Sequence, residues 1–308
     1  MHNVHLKSYA FLLVIILLTA VTCTDNELGQ ADPSENYSYQ IEEWKNERIS
    51  SLKEPTGWLR LAGMFILNEG ENSFGSSPDA DHTFPGNILP GSAGSFILED
   101  NEVLMNVSEG VEIKHDGDVV DRFLLYDGEN TPSVTYESLE WFVIVRGEII
   151  AIRIYNKENA KADAFSGFPS FPVDPKWSRR ARFIPSPDST TITIVNVLGQ
   201  IVDYPSPGTL EFTIDGNVYT LDALDSDDDM FIIAGDQTNK TETYPAGRYI
   251  YVDYPESDSD ITTIDFNKIY NPPCAYTSYS TCQLPPPQNR LKVAIEAGEK
   301  RPIHWSGL

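Results

Sequence analysis

The sequence predicts an all-β fold, either an antiparallel sandwich or a partly closed barrel, with one N-terminal helix. From Gly57 onward, short apolar stretches alternate with polar positions and are separated by Asp, Asn and Gly turn residues. Between residues 265 and 291, five prolines and two cysteines leave little room for helix or strand. This C-terminal stretch is therefore expected to be a rigid, proline-rich loop, and rigid irregular loops of this length are typical of functional sites.

The N-terminus has the pattern of a signal peptide over residues 1–22. Lys7 precedes an apolar run at 10–18, which is shorter than the roughly 20 residues of a membrane span. Small residues follow, and Cys23 would be the first mature residue. We expect Cys23 to be lipidated, the alternative being ordinary cleavage without a lipid. The mature protein is then expected outside the cytoplasm, membrane-anchored at the periplasmic or outer-membrane face.

After the cleavage site, residues 23–36 are acidic and lack apolar periodicity, which predicts a flexible tether. Tyr39, Ile41 and Trp44, continued by Ile49 and Leu52, recur at helical spacing and predict a helix that ends before the proline at 55. We see no strong linker beyond this point and expect residues 37–308 to form a single all-β domain.

Four β-hairpins are indicated by apolar alternation around short polar turns. They join residues 96–98 to 103–107, 111–114 to 119–126, 141–145 to 149–155, and 210–214 to 218–221. Further strands are predicted at 191–197, 231–234, 249–254, 261–266 and 291–295. At 57–63, a glycine-bounded turn is expected to pack Trp58 and Leu61 into the core.

Composition excludes several function classes. The chain has 22 Lys+Arg against 46 Asp+Glu, a formal charge of -24, which disfavours nucleic acid as a partner. No phosphate-binding loop is present, and His82, His115 and His304 lie apart from the motif stretches, so a conventional catalytic triad is not expected. We predict no cofactor and no metal site.

Two cysteines remain for pairing if Cys23 is lipidated. Cys274 and Cys282 would close a nine-residue loop, and an exported chain favours a disulfide between them. Zinc is the alternative, but no histidine lies in this stretch and zinc needs further ligands.

Several motifs resemble domain-of-unknown-function family 1684. They are Gly57-Trp58-Leu59, residues 72–76 and 171–175, Asp236-x-Thr238, Thr243-Tyr244-x-x-Gly247-Arg248, residues 265–267, and 271–275. The resemblance extends from about Trp44 to Lys300 and implies an exported or lipid-anchored bacterial protein without an assigned activity. Gln283 and Gln288 depart from the family pattern, which has Pro and Glu there, so Gln288 cannot be a general acid or base.

Asp236 and Asp265 each follow a predicted strand, where side chains from distant sequence can converge. With them we group residues of the mixed chemistry that ligand pockets use: Thr238, Tyr244, Arg248, Asn267, Asn271, Tyr276 and Arg290. A structural alternative is that Arg248 simply pairs with one of the two carboxylates.

Three functions follow. The first is binding of a small polar ligand or glycan, with the membrane contacted only through the lipid anchor. The second is a glycosidase-like hydrolase that uses Asp236 and Asp265 as acid and base. The third is an envelope interaction protein in which the proline-rich loop is a docking surface.

Overall fold

A computed structural model describes residues 28–302 and confirms the all-β prediction. The predicted signal peptide, Cys23 and His304 lie outside these residues. The predicted helix is confirmed as α1 (Tyr37–Lys53), which buries Ile41 and Leu52 against the rest of the chain. Its C-terminal cap is Glu54, and the proline that follows at 55 disfavours further helix.

The first half of the chain forms a β-sandwich from two sheets. Its strands are β1 (Leu61–Ile66), β2 (Gly70–Gly75), β3 (His82–Thr83), β4 (Gly94–Glu99), β5 (Glu102–Val107), β6 (Lys114–His115), β7 (Asp118–Val119), β8 (Arg122–Tyr126), β9 (Val134–Tyr136), β10 (Leu139–Arg146) and β11 (Ile149–Asn156). One sheet has the order β1-β11-β10-β9-β6-β7 and the other β3-β2-β4-β5-β8. Stacked aromatic rings fill the space between them, with the centroids of Phe74 and Phe96 4.3 Å apart and Trp141 fully buried.

The second half forms a curled sheet after a short helix, α2 (Ala160–Ala164). Its strands are β12 (Ser178–Pro185), β13 (Thr191–Val195), β14 (Ile201–Pro205), β15 (Gly208–Ile214), β16 (Asn217–Ser226), β17 (Asp229–Ala234), β18 (Arg248–Asp253) and β19 (Ile261–Asp265). The sheet runs β18-β17-β16-β15-β12-β19, and its end strands β18 and β19 contact one another, so the sheet is a half-barrel. β13 and β14 form a separate hairpin. The half-barrel encloses its own core, distinct from that of the sandwich.

Turn chemistry explains why the hairpins were predictable. Asp215 and Gly216 connect β15 to β16 and have φ of 49° and 76°, the left-handed values that a type I′ turn requires. The hairpins β4–β5 and β10–β11 are likewise confirmed. The hairpin predicted after residue 111 is shorter than expected, because only Lys114 and His115 pair with β7, while β8 pairs with β5 instead.

The prediction of a strand at 291–295 is wrong, because this segment is irregular. Leu291 and Ile295 are buried in the half-barrel core, which accounts for the apolar pattern. The backbone of this segment, however, forms no strand ladder: the Leu291 N–H donates to the Gly235 carbonyl over 2.7 Å, and the Ile295 carbonyl accepts from the Arg248 side chain over 2.9 Å.

Residues 28–31, within the predicted tether, pack along β12. The Ala31 N–H donates to the Ser178 carbonyl over 2.9 Å, and the Arg180 N–H donates to the Gly29 carbonyl over 3.0 Å. Leu28 and Ala31 are buried. This part of the segment therefore extends the half-barrel sheet locally.

The proline-rich loop crosses between the two β units. It contains three short 3-10 turns, at Phe266–Lys268, Pro273–Ala275 and Pro287–Asn289. The predicted disulfide between Cys274 and Cys282 is confirmed, with the two Cα atoms 6.1 Å apart. We call residues 273–283 the disulfide loop.

Candidate functional site

A buried ion pair joins the end of β17 to the start of β18. Arg248 Nη2 lies 2.7 Å from Asp236 Oδ2, and the two side chains are 0% and 1% exposed. Asp236 Oδ1 also accepts from the Thr238 hydroxyl over 2.6 Å. Arg248 further donates to the carbonyls of Ile295 over 2.9 Å and Ala297 over 2.5 Å. Burial lowers the pKa of Arg248, and the Asp236 carboxylate opposes that shift.

Two glycines make this network possible. Gly247 has φ of 95°, and a Cβ there would lie 2.3 Å from a ring carbon of Pro285. Gly298 has φ of 69°, and a Cβ there would lie 2.2 Å from the carbonyl oxygen of Ile269. The chain can therefore bring Arg248 and the C-terminal carbonyls together only with glycine at both positions.

A second buried network surrounds Glu299. Its carboxylate accepts from Arg48 Nε over 3.0 Å, from the Asn271 N–H over 2.8 Å and from the Tyr276 hydroxyl over 2.7 Å. The Arg48 guanidinium also lies 4.2 Å from the ring centre of Tyr270. Burial raises the pKa of Tyr276, and the Glu299 charge raises it further. This network holds α1 against the C-terminal segment.

Asp265 belongs to a third network. Its carboxylate accepts from the Tyr37 hydroxyl over 2.8 Å and from the Asn267 N–H over 3.0 Å. The Asn267 amide donates in turn to the Asp174 carbonyl over 3.0 Å. Burial raises the pKa of Tyr37, and Asp265 raises it further. Asp265 thus caps the turn after β19 and fixes the beginning of α1.

The remaining predicted residues lie elsewhere. Tyr244 is half-buried against the small apolar cluster beneath α1, and Arg290 is exposed beside Gly235. The expectation that Asp236, Arg248 and Asp265 surround one shared hollow is corrected. Asp236 and Arg248 are bonded to each other in a closed latch, Asp265 is in a separate network, and none of the three lines the cavities described next.

Three adjoining cavities lie along the disulfide loop, with volumes of about 780, 330 and 250 Å³. Residues 276–279 of the loop line the first cavity and residues 280–283 line the second. Trp58 lines both of these, while Arg146, Thr281 and Gln283 line the second and the third. We call the three cavities together the loop groove. Of the predicted ligand-binding residues, Tyr276 is the one that the described cavities include.

The loop groove combines aromatic faces with amide groups and basic side chains. In the first cavity Trp58, Phe165 and Tyr279 lie beside the side chains of Asn156 and Asn159. The second cavity is lined by Phe231, Tyr249 and Tyr251 of the half-barrel, by Tyr270 after β19, and by Arg146 and Arg153 of the sandwich. Both β units therefore contribute to the lining of the second cavity.

Sequence reasoning missed the groove residues Trp58, Arg146 and Arg153, as well as Arg48 and Glu299. Trp58 was expected in the core, but it is only half-buried and lines the groove. One signal was available for Arg153, a charged residue between Ile152 and Ile154 in an otherwise apolar strand. Because Ile152 and Ile154 fill the sandwich core, Arg153 must point away from it.

Over residues 28–302, no three His, Cys, Asp or Glu side chains are grouped as metal ligands would be. Within the same residues, no helix has both the length and the hydropathy to cross a bilayer.

Comparison with known proteins gives two results that bear on the family. The model of a family described as "Protein of unknown function (DUF1684)" matches residues 163–300. An uncharacterised protein of Haloarcula marismortui, solved by solution NMR, is 31% identical, with 47% of this chain and 82% of that protein covered and a TM-score of 0.39. No curated protein matches the chain.

Two FHA domains were also found among solved structures. One was solved with the intracellular domain of another protein and one in a study of phosphothreonine-dependent interactions. Each is 14% identical over 30% of this chain, covering 96% and 92% of the respective domain, and the TM-score of 0.20 is too low to indicate a shared fold.

The match is narrower than the motifs had indicated. It begins near the end of α2, runs to the C-terminal segment and so contains the half-barrel, the Arg248 latch and the disulfide loop. The motifs at 57–59 and 72–76 lie outside it. Through residues 163–300, the chain belongs to the family of unknown function 1684.

Proposed function

We propose that this chain is an exported, lipid-anchored envelope protein that binds a small polar ligand or glycan in the loop groove. The signal-peptide pattern at 1–22 and the cysteine at 23 support export and anchoring. The disulfide between Cys274 and Cys282 fits an oxidising compartment outside the cytoplasm.

One observation carries the binding proposal. Eight consecutive residues, 276–283, line two adjoining cavities, and the disulfide and the Glu299 network hold this stretch rigid. The first two volumes, about 780 and 330 Å³, lie in the range of small-molecule sites. Aromatic faces beside amide groups suit the apolar face and the hydroxyls of a sugar.

The other two functions receive less support. Hydrolysis by a carboxylate pair needs both carboxylates in one cleft, but Asp236 is sealed in the latch and Asp265 caps a turn. A docking surface needs an exposed apolar patch. Within the disulfide loop, Tyr279 is the large apolar side chain with notable exposure, at 39%.

The test is a thermal-shift screen of the full chain in mild detergent against neutral sugars, acidic sugars and nucleosides. Hits are then titrated by calorimetry against Tyr279→Ala, which removes an aromatic face of the first cavity. Tyr39→Ala is the matched control, because Tyr39 is 64% exposed on α1 and lines none of the three cavities.

We expect Tyr279→Ala to weaken binding about fivefold or more, the loss of one stacking contact. Tyr39→Ala should bind as wild type does. The proposal fails if no compound stabilises the chain, or if the two variants bind equally well.

A further inference from the structure

The charge lining the loop groove is opposite to the charge of the whole chain. The chain carries a formal charge of -24, yet no carboxylate lines any of the three cavities within residues 28–302. Lys161 lines the first cavity, and Arg48, Arg146 and Arg153 line the second. A positive cleft in an acidic protein concentrates anions locally, because low-dielectric walls focus the field.

The three arginines differ in how their charge is used. Arg48 is paired with Glu299 over 3.0 Å, so its charge is compensated. Arg146 and Arg153 form no ion pair with any residue of the described range 28–302. Two uncompensated guanidinium groups therefore border the second cavity.

Arg153 is the more deeply placed of the two. It is 7% exposed, and its Nε has no hydrogen-bond partner within the described residues. Its guanidinium lies 5.4 Å from the ring centre of Trp58 and also interacts with the side chain of Tyr155. A buried N–H without a partner costs free energy, and an anion in the cavity would supply the acceptor.

Strand pairing places Arg146 on the same face of the sheet as Arg153. In the β10–β11 ladder Phe142 is opposite Arg153, and Arg146 lies further along β10, opposite Ile149 and on the same face as Phe142. Both arginines line the second cavity. Arg146 is exposed, and its Nη1 donates to the carbonyl of the preceding residue, Val145, over 2.8 Å. Burial lowers the pKa of Arg153, and the like charge of Arg146 lowers it further, while Tyr155 raises it.

We infer that the second cavity is an anion subsite and that the ligand of the loop groove carries a carboxylate or phosphate group. This inference rests on the proposed function and names the ligand class. The planar guanidinium groups of Arg146 and Arg153 can each bind such a group through paired N–H donors. Tyr251, Ser280 and Thr281 line the same cavity, and their hydroxyl groups suit the polar remainder of the ligand.

The experiment compares probes that differ only in charge. D-Glucuronate and D-glucose are titrated into the full chain by calorimetry, together with inorganic phosphate, at low and at moderate salt. The variants are Arg146→Gln and Arg153→Gln, with Arg122→Gln as the control. Arg146 is exposed, so its replacement should leave the fold intact, and Arg122 is also an exposed arginine, on β8 of the other sheet.

The inference predicts that glucuronate binds at least about tenfold more tightly than glucose, and that salt weakens glucuronate binding. Arg146→Gln should weaken glucuronate binding about tenfold, and Arg122→Gln should leave it unchanged. If glucose and glucuronate bind equally and Tyr279→Ala weakens both, the binding proposal stands and the anion subsite is overturned. Equal losses in Arg146→Gln and Arg122→Gln would show nonspecific attraction, which also overturns it.

Discussion

Replacing Arg248 by methionine tests the structural role that we assign to the latch. The change keeps an unbranched side chain but removes the guanidinium, which leaves the Asp236 carboxylate buried without its cation. It also removes the donors to the carbonyls of Ile295 and Ala297. We therefore expect a large loss of stability with little change in shape.

The magnitude follows from burial. Both side chains of the pair are at most 1% exposed, so solvent cannot replace the lost partner. Removing one member of a buried pair costs about 3 to 5 kcal/mol. Most globular domains are stable by about 5 to 15 kcal/mol, so the loss is a large share of the total.

Urea denaturation followed by circular dichroism measures the free energy of unfolding. Arg122→Met is the matched control, because Arg122 is exposed and its loss should change stability by less than about 0.5 kcal/mol. The double variant with Asp236→Asn should cost less than the sum of the two single changes, since the residues are in contact. A loss below about 1 kcal/mol for Arg248→Met would refute the reasoning.

Two further predictions concern stability. Replacing Cys274 and Cys282 by serine should lower the free energy of unfolding by about 2 to 3 kcal/mol, measured by urea denaturation, because the disulfide no longer restricts the unfolded chain; an unchanged midpoint would contradict this. Burial lowers the pKa of His82 below its usual value near 6.5, so the unfolded chain binds a proton that the folded chain does not. Stability should therefore fall as pH is lowered through about 6.5, by at most about 1.4 kcal/mol per pH unit, and the urea midpoint of His82→Phe should depend less on pH than that of wild type. Parallel pH profiles for the two chains would contradict this assignment.

Local patterns predicted much of the fold. The Asp-Gly turn at 215 and 216 specifies both the position and the register of β15 and β16. Its two consecutive residues both need a left-handed φ, and few residue pairs other than Asp-Gly and Asn-Gly adopt that conformation readily. The helix α1 was readable from its apolar spacing and from the proline after it. The segment 291–295 was misread, because buried apolar residues without a strand partner give the same pattern as a strand.

The candidate site was only partly predictable. The disulfide loop was identified from its prolines and cysteines, and it lines the groove. The pairing of Arg248 with Asp236 is the structural alternative that the sequence offered, and the complete burial of both side chains supports a structural role. The groove itself brings together Trp58, Arg153 of the sandwich and Tyr251 of the half-barrel, and the convergence of such distant residues leaves no local pattern in one sequence.

Hydrogen–deuterium exchange of the full chain, with and without the compound that stabilises it most, tests ligand binding in the loop groove most directly. We predict slower exchange at residues 276–283 and along β10 and β11 when the compound is bound. Slower exchange confined to other segments, or no change at the disulfide loop with a saturating ligand, would contradict the assignment of the groove as the binding site.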